Sequence, residues 1–484
     1  MLLKWPFHNV SLKAEQVRGI KLLVSVVAAL CVLKLPLPSL VGSDGGAIFL
    51  SSQGRSVFAV AMLCIALWVT EALPFAATAL LAFVFLPLTG CYPGTLPEQV
   101  TRLLRDSLAN PVIPFILGVM LLGVAVRRSG LSLRMARIIL RFSGGKVRLV
   151  LLGFMVTAAF LGMWITPLAS ASIMVPVAAG LLARMECRPG QSRFGKSLLI
   201  GVIWGSLSGG IATPAGATPN LIVMGFLRDL AGIEIRFLDW MRVGVPALAF
   251  LLPCAWLILM RLFPPEMERF EVSSTLGEMT TQLAASQGNQ LRAALLLVTA
   301  VMAWILAPAG WSAWSALVFS ALLFTPYIGF LRWQDAEREV GWGTFLVVAA
   351  GIAIGGAAYQ SGLARYLAHL LFAQMLTVLP PFGRRIALSW ATSLLHALFA
   401  SNTVTGSIVA PLLIPLAQEL GLDVWRTMAP SAYTISLAFL LISESPCSLI
   451  AYQTGYFSAR DFTRAGFLFT LVIGPVLAVV LSVM

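Results

Sequence analysis

Runs of apolar residues long enough to cross a bilayer recur along this chain from about residue 20 to its end, near 20–40, 57–75, 76–92, 111–128, 146–184, 196–227, 243–263, 291–308, 312–330, 342–360, 382–419, 427–455 and 462–484. A hydrocarbon core of about 30 Å takes about 20 residues of helix to cross. Backbone polar groups at that depth must be satisfied within the segment itself. The expected fold is therefore an all-α polytopic membrane protein, integral to the bilayer, with no separate signal peptide or soluble domain. Composition agrees: 59% of the 484 residues are hydrophobic and 11% charged, with mean hydropathy +0.90, which excludes an ordinary soluble domain.

A net charge of +13 could serve nucleic acid, but the basic residues sit in short loops between apolar runs rather than in one stripe with aromatics. No nucleic-acid partner is expected, and positive-inside topology accounts for the charge. The cysteines, at 31, 64, 91, 187, 254 and 447, follow neither metal nor disulfide spacing. They read as small core residues.

Two apolar runs are too long for one span and are interrupted by polar residues. The 146–184 run, about 39 residues, suffices for two helices of about 18 each and has Thr166-Pro167 in its middle. Arg134, Arg137, Arg141, Lys146 and Arg148 precede or open it, and Arg184, Arg188, Arg193 and Lys196 close or follow it. Both ends thus favour the cytoplasmic side, which makes the run a re-entrant hairpin whose tip must be covered by protein. The 382–419 run, broken at Ser401-Asn402-Thr403-Val404-Thr405, is its counterpart. Threading the rest from a cytoplasmic N-terminus puts about 22 of the 33 Lys and Arg inside. The second hairpin then enters from outside, as an inverted-topology repeat requires.

Internal similarity supports the repeat. Gly123 through Ser129-Gly130-Leu131 matches Gly355 through Ser361-Gly362-Leu363, each followed by an amphipathic helical stretch. Thr166 through Ile173 lies against Ser401 through Ile408, with Pro176 on Pro411. The halves are expected at 1–264 and 291–484, joined by a cytoplasmic linker over 265–290. Each half carries scaffold helices, a hairpin (146–184; 382–419) and a broken helix (196–227; 427–455), and 462–484 is the last helix.

The broken helices contain Ser208 through Asn220 in the first half and Ser443-Glu444-Ser445-Pro446-Cys447-Ser448 in the second. Glycine frees the backbone and proline removes a donor, so amides and carbonyls are released at mid-membrane depth. Half-helix N-termini suit an anion there, and unwound carbonyls with Ser, Thr or Asn oxygens suit Na+. Any one such break is commonly a kink with hydroxyls bonded to their own helix, but breaks in matched pairs point to a transport site.

Trp68-Val69-Thr70-Glu71-Ala72-Leu73-Pro74, Ser401-Asn402-Thr403, and Gly209-Gly210-Ile211-Ala212-Thr213 with Thr218-Pro219-Asn220 resemble the divalent anion:sodium symporter family, whose bacterial members include INDY-type dicarboxylate transporters. The resemblance spans nearly the whole chain. It implies a homodimeric, elevator-type transporter in the bacterial inner membrane, with a small dianionic substrate, Na+ as coupling ion and no cofactor. Carried onto this chain, Ser401 and Asn402 with the backbone around Ser443 form one Na+ site. Asn402 and Thr403 touch substrate, with Thr218, Pro219, Glu444, Ser445 and Pro446 around it. At the first tip, Thr166-Pro167-Leu168 stands where the family has Ser-Asn-Thr. That site lacks the asparagine amide and is left with Thr166, Ser170 and Gly210. The second departure is Glu444, an acid where the family commonly has a Thr-Pro-Pro-Asn-like segment.

His396, in the second hairpin, could shuttle protons, although a lone histidine on an apolar helix is most simply packing. Glu71, at a span end, reads as an interfacial residue. The expected function is symport of a dicarboxylate or sulfate with Na+, and the chain is not expected to be an enzyme. A proton-coupled or exchanging permease of the same fold is the alternative. A membrane enzyme would need gathered acids or metal ligands, and a channel would leave the opposed hairpins unexplained.

Overall fold

The computed structural model describes residues 8–34, 36–41, 46–131, 134, 138, 144–269, 287–306, 308, 311–399 and 401–483. The helices, in chain order, are α1 (His8–Lys34), α2 (Ser52–Thr70), α3 (Phe75–Phe85), α4 (Leu96–Leu108), α5 (Val112–Ser129), α6 (Val147–Ile165), α7 (Pro167–Arg184), α8 (Arg193–Gly210), α9 (Thr218–Ala231) and α10 (Phe237–Leu262). They continue with α11 (Gln287–Leu306), α12 (Ser312–Leu322), α13 (Trp333–Glu339), α14 (Gly343–Gln360), α15 (Leu363–Val378), α16 (Pro381–Phe399), α17 (Asn402–Glu419), α18 (Val424–Thr434), α19 (Pro446–Tyr452) and α20 (Ala459–Val480). A two-residue antiparallel ribbon, Leu40–Val41 with Ala47–Ile48, is the sheet among the described residues. Nine helices among them are long and apolar enough to cross a membrane.

The two over-long apolar runs are helical hairpins, α6–α7 and α16–α17, and each is followed by a helix broken in its middle, α8–α9 and α18–α19. The expected span 312–330 is helical only through Leu322, because Pro326 and the positive φ of Tyr327 (70°) turn the chain. Most of the amphipathic stretch Leu131–Phe142, with Arg137 and Arg141, and residues 270–286 of the expected linker lie outside the described residues.

Contacts divide the chain into two compact units that each draw on both sequence halves. The first comprises Met1–Asn110, Trp342–Gln374 and Ser407–Leu422. In it α2 packs on α1, and α14 packs on α3 and α4. The Trp68–Pro74 motif is the corner between α2 and α3. Glu71 ends α2 in a left-handed conformation (φ 51°) with its N–H on the Trp68 carbonyl, and the Trp68 indole donates to the Phe75 carbonyl at 3.2 Å. The end of α17 is tied to α15 by Glu419, which takes Arg365 at 2.8 and 3.0 Å and His369 at 3.0 Å.

The second unit comprises Pro111–Gly341, Met375–Gly406 and Asp423–Met484. Its centre is the contact of α6 with α8, made by glycine. A Cβ on Gly205 or Gly209 would run into the Met155 or Ala159 carbonyl, and one on Gly162 into that of Ser206. In lipid such close backbone approach, rather than water exclusion, draws helices together. Trp204 stacks on Phe469 at 4.7 Å and meets Phe439 at 5.6 Å, joining α8 to α20 and to the unwound segment after α18. Both ends of the first hairpin region reach one segment: Lys146 bridges to Arg269, and Glu266 accepts from the N–H groups of Arg193 and Phe194.

Candidate functional site

Each hairpin tip stops at the break of a broken helix, and all four features lie in the second unit. The first tip is a one-residue turn. Thr166 sits at φ 75°, ψ 148°, a strained conformation for a β-branched residue. Its hydroxyl accepts from the Ala169 N–H at 3.4 Å as an N-cap, while Pro167 opens α7 with the fixed φ and missing N–H that suit a first helical position.

Backbone polar groups released by the first break find partners, as buried groups must. The Asn220 side-chain N–H2 donates to the Gly210 and Thr213 carbonyls at 2.8 and 2.9 Å. The Trp240 indole donates to the Ile211 carbonyl at 2.9 Å. Thr213 Oγ1 reaches the Met163 carbonyl in the hairpin at 2.5 Å. Asn220 is fully buried and takes the Ser436 hydroxyl on its oxygen at 3.4 Å, which links the first break to the second.

The second break repeats the backbone of the first with a different staple. Thr213 (φ −132°, ψ 158°) and Ala217 (−144°, 140°) flank the short 3-10 turn Pro214–Gly216. Leu441 (−122°, 147°) and Ser445 (−144°, 135°) flank Ile442–Glu444 in the same way. In that register Glu444 stands where Gly216 does, and Ser448 where Asn220 does. The Glu444 carboxylate accepts from the Leu440 and Leu441 N–H groups at 3.1 and 3.0 Å. The first break is held by an amide donating to carbonyls, the second by a carboxylate accepting from amides. The hydroxyls of Ser208 and Ser448 are buried with no hydrogen-bond partner among the described residues; in the repeat register they correspond to the bonded pair Ser436 and Asn220.

At the second tip Ser401 Oγ caps α17 by accepting from the Val404 N–H at 3.4 Å, as Thr166 does in the first half. Asn402 Oδ1 lies 2.5 Å from His396 Nε2, and His396 Nδ1 lies 3.9 Å from Glu444 Oε2. Asn402 and His396 are thus hydrogen-bonded at the tip, and Glu444 of the break lies next to the imidazole without bonding it. Pro219 meets the same tip: a Cβ on Gly406 would lie 3.1 Å from the Pro219 Cβ.

The residues expected from the sequence fall as follows. Asn402 and Glu444 are brought together through His396, and Pro219 lies against the second tip. Ser401, Thr403 and Thr218 are half-buried, Ser445 is buried, and the side chains of Ser443 and Pro446 are exposed. At the first tip each expected oxygen has a protein partner. Thr166 Oγ1 caps its helix, the Gly210 carbonyl holds Asn220, and Ser170 donates to the Ala158 carbonyl at 2.7 Å and accepts from Ser206 at 3.0 Å. The Pro167 ring packs on Gly210, where a Cβ would come within 2.7 Å of its Cγ.

A model of the sodium:sulfate symporter transmembrane region matches residues 16–484. The chain belongs to this family. Among its relatives, the sodium-dependent dicarboxylate transporter SdcS of Staphylococcus aureus strain USA300 is 28% identical over 451 residues, covering 87% of this chain and 84% of that one. The solved structure of the Alcanivorax borkumensis YdaH transporter covers 96% of this chain and 98% of its own at a TM-score of 0.56 and 14% identity. That of Neisseria gonorrhoeae MtrF covers 97% and 94% at 0.55 and 13%. At those identities the likeness establishes a shared polytopic helical fold.

Sequence reasoning gave Asn220 no role and read His396 as packing. The signal for Asn220 was its place two residues after Thr218 in a buried break, where an amide can serve two carbonyls at once. Trp240 and Tyr433, whose hydroxyl donates to the Trp240 carbonyl at 2.9 Å, carried no signal beyond being aromatic.

Proposed function

We propose that the protein is a secondary transporter that carries a small divalent anion, a dicarboxylate or sulfate, together with Na+. The observation that carries this reading is the meeting of two hairpin tips with two helix breaks of matching backbone inside one unit, in a chain of the sodium:sulfate symporter family. The N-termini of α9 and α17 supply N–H groups and positive dipole ends to an anion. Asn402, Thr403, Thr218 and Pro219 form the anion site, bordered by Ser445, Pro446 and Glu444. Ser401 and Asn402 with backbone oxygens near Ser443 hold Na+. No lysine or arginine is assigned to the site, so the dianion relies on dipoles and the co-transported cation for neutralisation.

Thr166, Ser170 and Gly210 are left as the oxygens of a first Na+ site. Their existing hydrogen bonds and the Pro167 ring on Gly210 favour a single dominant Na+ site at the second tip. The same crowding supports a second reading, in which a proton or a counter-transported anion replaces one Na+. The protein works as a homodimer in the bacterial inner membrane, N-terminus inside; each sequence half (1–264 and 291–484) gives scaffold helices, a hairpin and a broken helix, and the hairpins and broken helices together form a transport unit that moves as an elevator against the scaffold. That assembly is inferred by resemblance.

The experiment is uptake into proteoliposomes of succinate, citrate, 2-oxoglutarate and sulfate, each under a Na+, K+ or pH gradient. Accumulation of one dianion under the Na+ gradient alone is the expected result. Accumulation driven only by the pH gradient, or only by preloaded anion, would select the second reading.

A further inference from the structure

His396 is 1% exposed near the end of α16, and among the described residues its ring nitrogens hydrogen-bond Asn402 Oδ1 alone, 2.5 Å from Nε2. An amide oxygen only accepts, so Nε2 carries the proton of this bond. Among the described residues Nδ1 has no hydrogen-bond partner, and the nearest Glu444 oxygen, at 3.9 Å, is beyond hydrogen-bond reach. Both oxygens of Glu444 are already taken by the Leu440 and Leu441 N–H groups. The imidazole therefore has one polar task, to hold the oxygen of Asn402.

That bond decides which way the amide faces. With Oδ1 drawn to His396, the Asn402 N–H2 group is turned away from α16. Among the described residues no protein atom accepts from it, and Asn402 is half-buried, so a small ligand can reach it. A cation needs the lone pairs of Oδ1, one of which is engaged; an anion needs the N–H2 donors, which are not.

The other half of the repeat offers a comparison. In the register that sets Thr166 on Ser401, Pro167 replaces Asn402 and Leu161 replaces His396. The half without the amide also lacks the imidazole.

We propose that His396 is a positioning residue that locks the Asn402 amide with its N–H2 group toward the transported anion. The inference rests on the transport reading above. The second lone pair of Oδ1 stays available to Na+ beside Ser401 and backbone oxygens.

The test compares wild type, His396→Leu and His396→Gln in proteoliposomes, with succinate and, separately, sulfate as the anion, measuring KM for the anion, half-saturation for Na+ and maximal rate. Loss of one neutral orienting hydrogen bond should raise the anion KM about tenfold in His396→Leu, with Na+ half-saturation and maximal rate within about twofold of wild type. His396→Gln, which can place an N–H where Nε2–H stands, should return KM to within about twofold of wild type. An unchanged KM in a folded His396→Leu protein would overturn the inference. So would a shift confined to Na+ half-saturation, or a His396→Gln variant as weak as His396→Leu. If His396→Leu does not fold, the KM of His396→Gln alone decides: near wild type supports the lock, and tenfold higher refutes it. Wild-type protein that takes up neither anion under a Na+ gradient would sink the transport reading itself, whereas normal wild-type uptake with an indifferent His396→Leu sinks only the positioning role.

Discussion

Asn220→Ala should destabilise the protein strongly. Asn220 is fully buried and donates at 2.8 Å to the Gly210 carbonyl and at 2.9 Å to the Thr213 carbonyl. The Thr213 carbonyl keeps the Gly216 N–H at 3.2 Å, so truncation orphans chiefly the Gly210 carbonyl. Two neutral hydrogen bonds at about 1 kcal/mol each, with about 1–3 kcal/mol for a buried acceptor left alone, give a loss of about 3–5 kcal/mol. Asn220→Asp is a sharper probe, because the isosteric carboxylate sets an acceptor against two carbonyls and should be worse than alanine. Ser436→Ala, which removes only the 3.4 Å contact to Asn220 Oδ1, should cost under about 1 kcal/mol. Thermal unfolding in detergent, followed by tryptophan fluorescence, ranks the variants. A midpoint for Asn220→Ala equal to that of Ser436→Ala, or Asn220→Asp more stable than Asn220→Ala, would refute the staple.

Asn402→Ala should fold and insert but lose substrate-dependent uptake, because hydrogen bonds to a charged anion of about 1.5–3 kcal/mol disappear; undiminished uptake in inserted protein would displace the site. Na+ dependence of uptake should show a Hill coefficient near one, since the oxygens of the first tip are engaged, and a steep multi-ion dependence would show that the tip opens to bind. Gly209→Ala should prevent α6 and α8 from closing, since the new Cβ meets the Ala159 backbone. Overpacking there should cost at least about 1–3 kcal/mol, and size-exclusion profiles like those of the wild type would count against the glycine contact.

Much of the scaffold was legible in the sequence. The run 146–184 became Val147–Ile165 with Pro167–Arg184, and 382–419 became Pro381–Phe399 with Asn402–Glu419, because polar residues amid membrane-length apolar sequence have few places to go. Gly362, at φ 77°, turns the chain just before α15, the helix expected after the second Ser-Gly-Leu. Hidden were the pairings of polar atoms. Hydropathy registers the cost of placing Asn220 or Glu444 in lipid, not which carbonyl or amide each will meet. The amphipathic α4 also escaped, since its charged face hides a half-apolar helix from a search for continuous apolar runs. His396 was weighed as an isolated residue, and its value came from a partner six positions on, across a helix turn that only the folded tip brings within reach.

The two staples have unequal consequences once ions arrive. A neutral amide interacts weakly with a passing charge, so the loop held by Asn220 keeps the same grip whether or not the site is loaded. A carboxylate does not: a cation 4 Å from a unit negative charge interacts by about 4 kcal/mol at an effective dielectric constant of 20. With Na+ held at the site proposed beside Ser443, Glu444 would make the second loop sensitive to ionic occupancy. On that reading one repeat would be a fixed bearing and the other a bearing whose tightness the cargo alters. Hydrogen exchange would expose the difference: Na+ should change protection of the Leu440 and Leu441 amides while leaving Gly216 as it was, and equal changes in both loops would mean that the halves respond alike. Near-symmetry in shape would then coexist with asymmetry in response, which gives a machine built from two similar parts an order in which to move them.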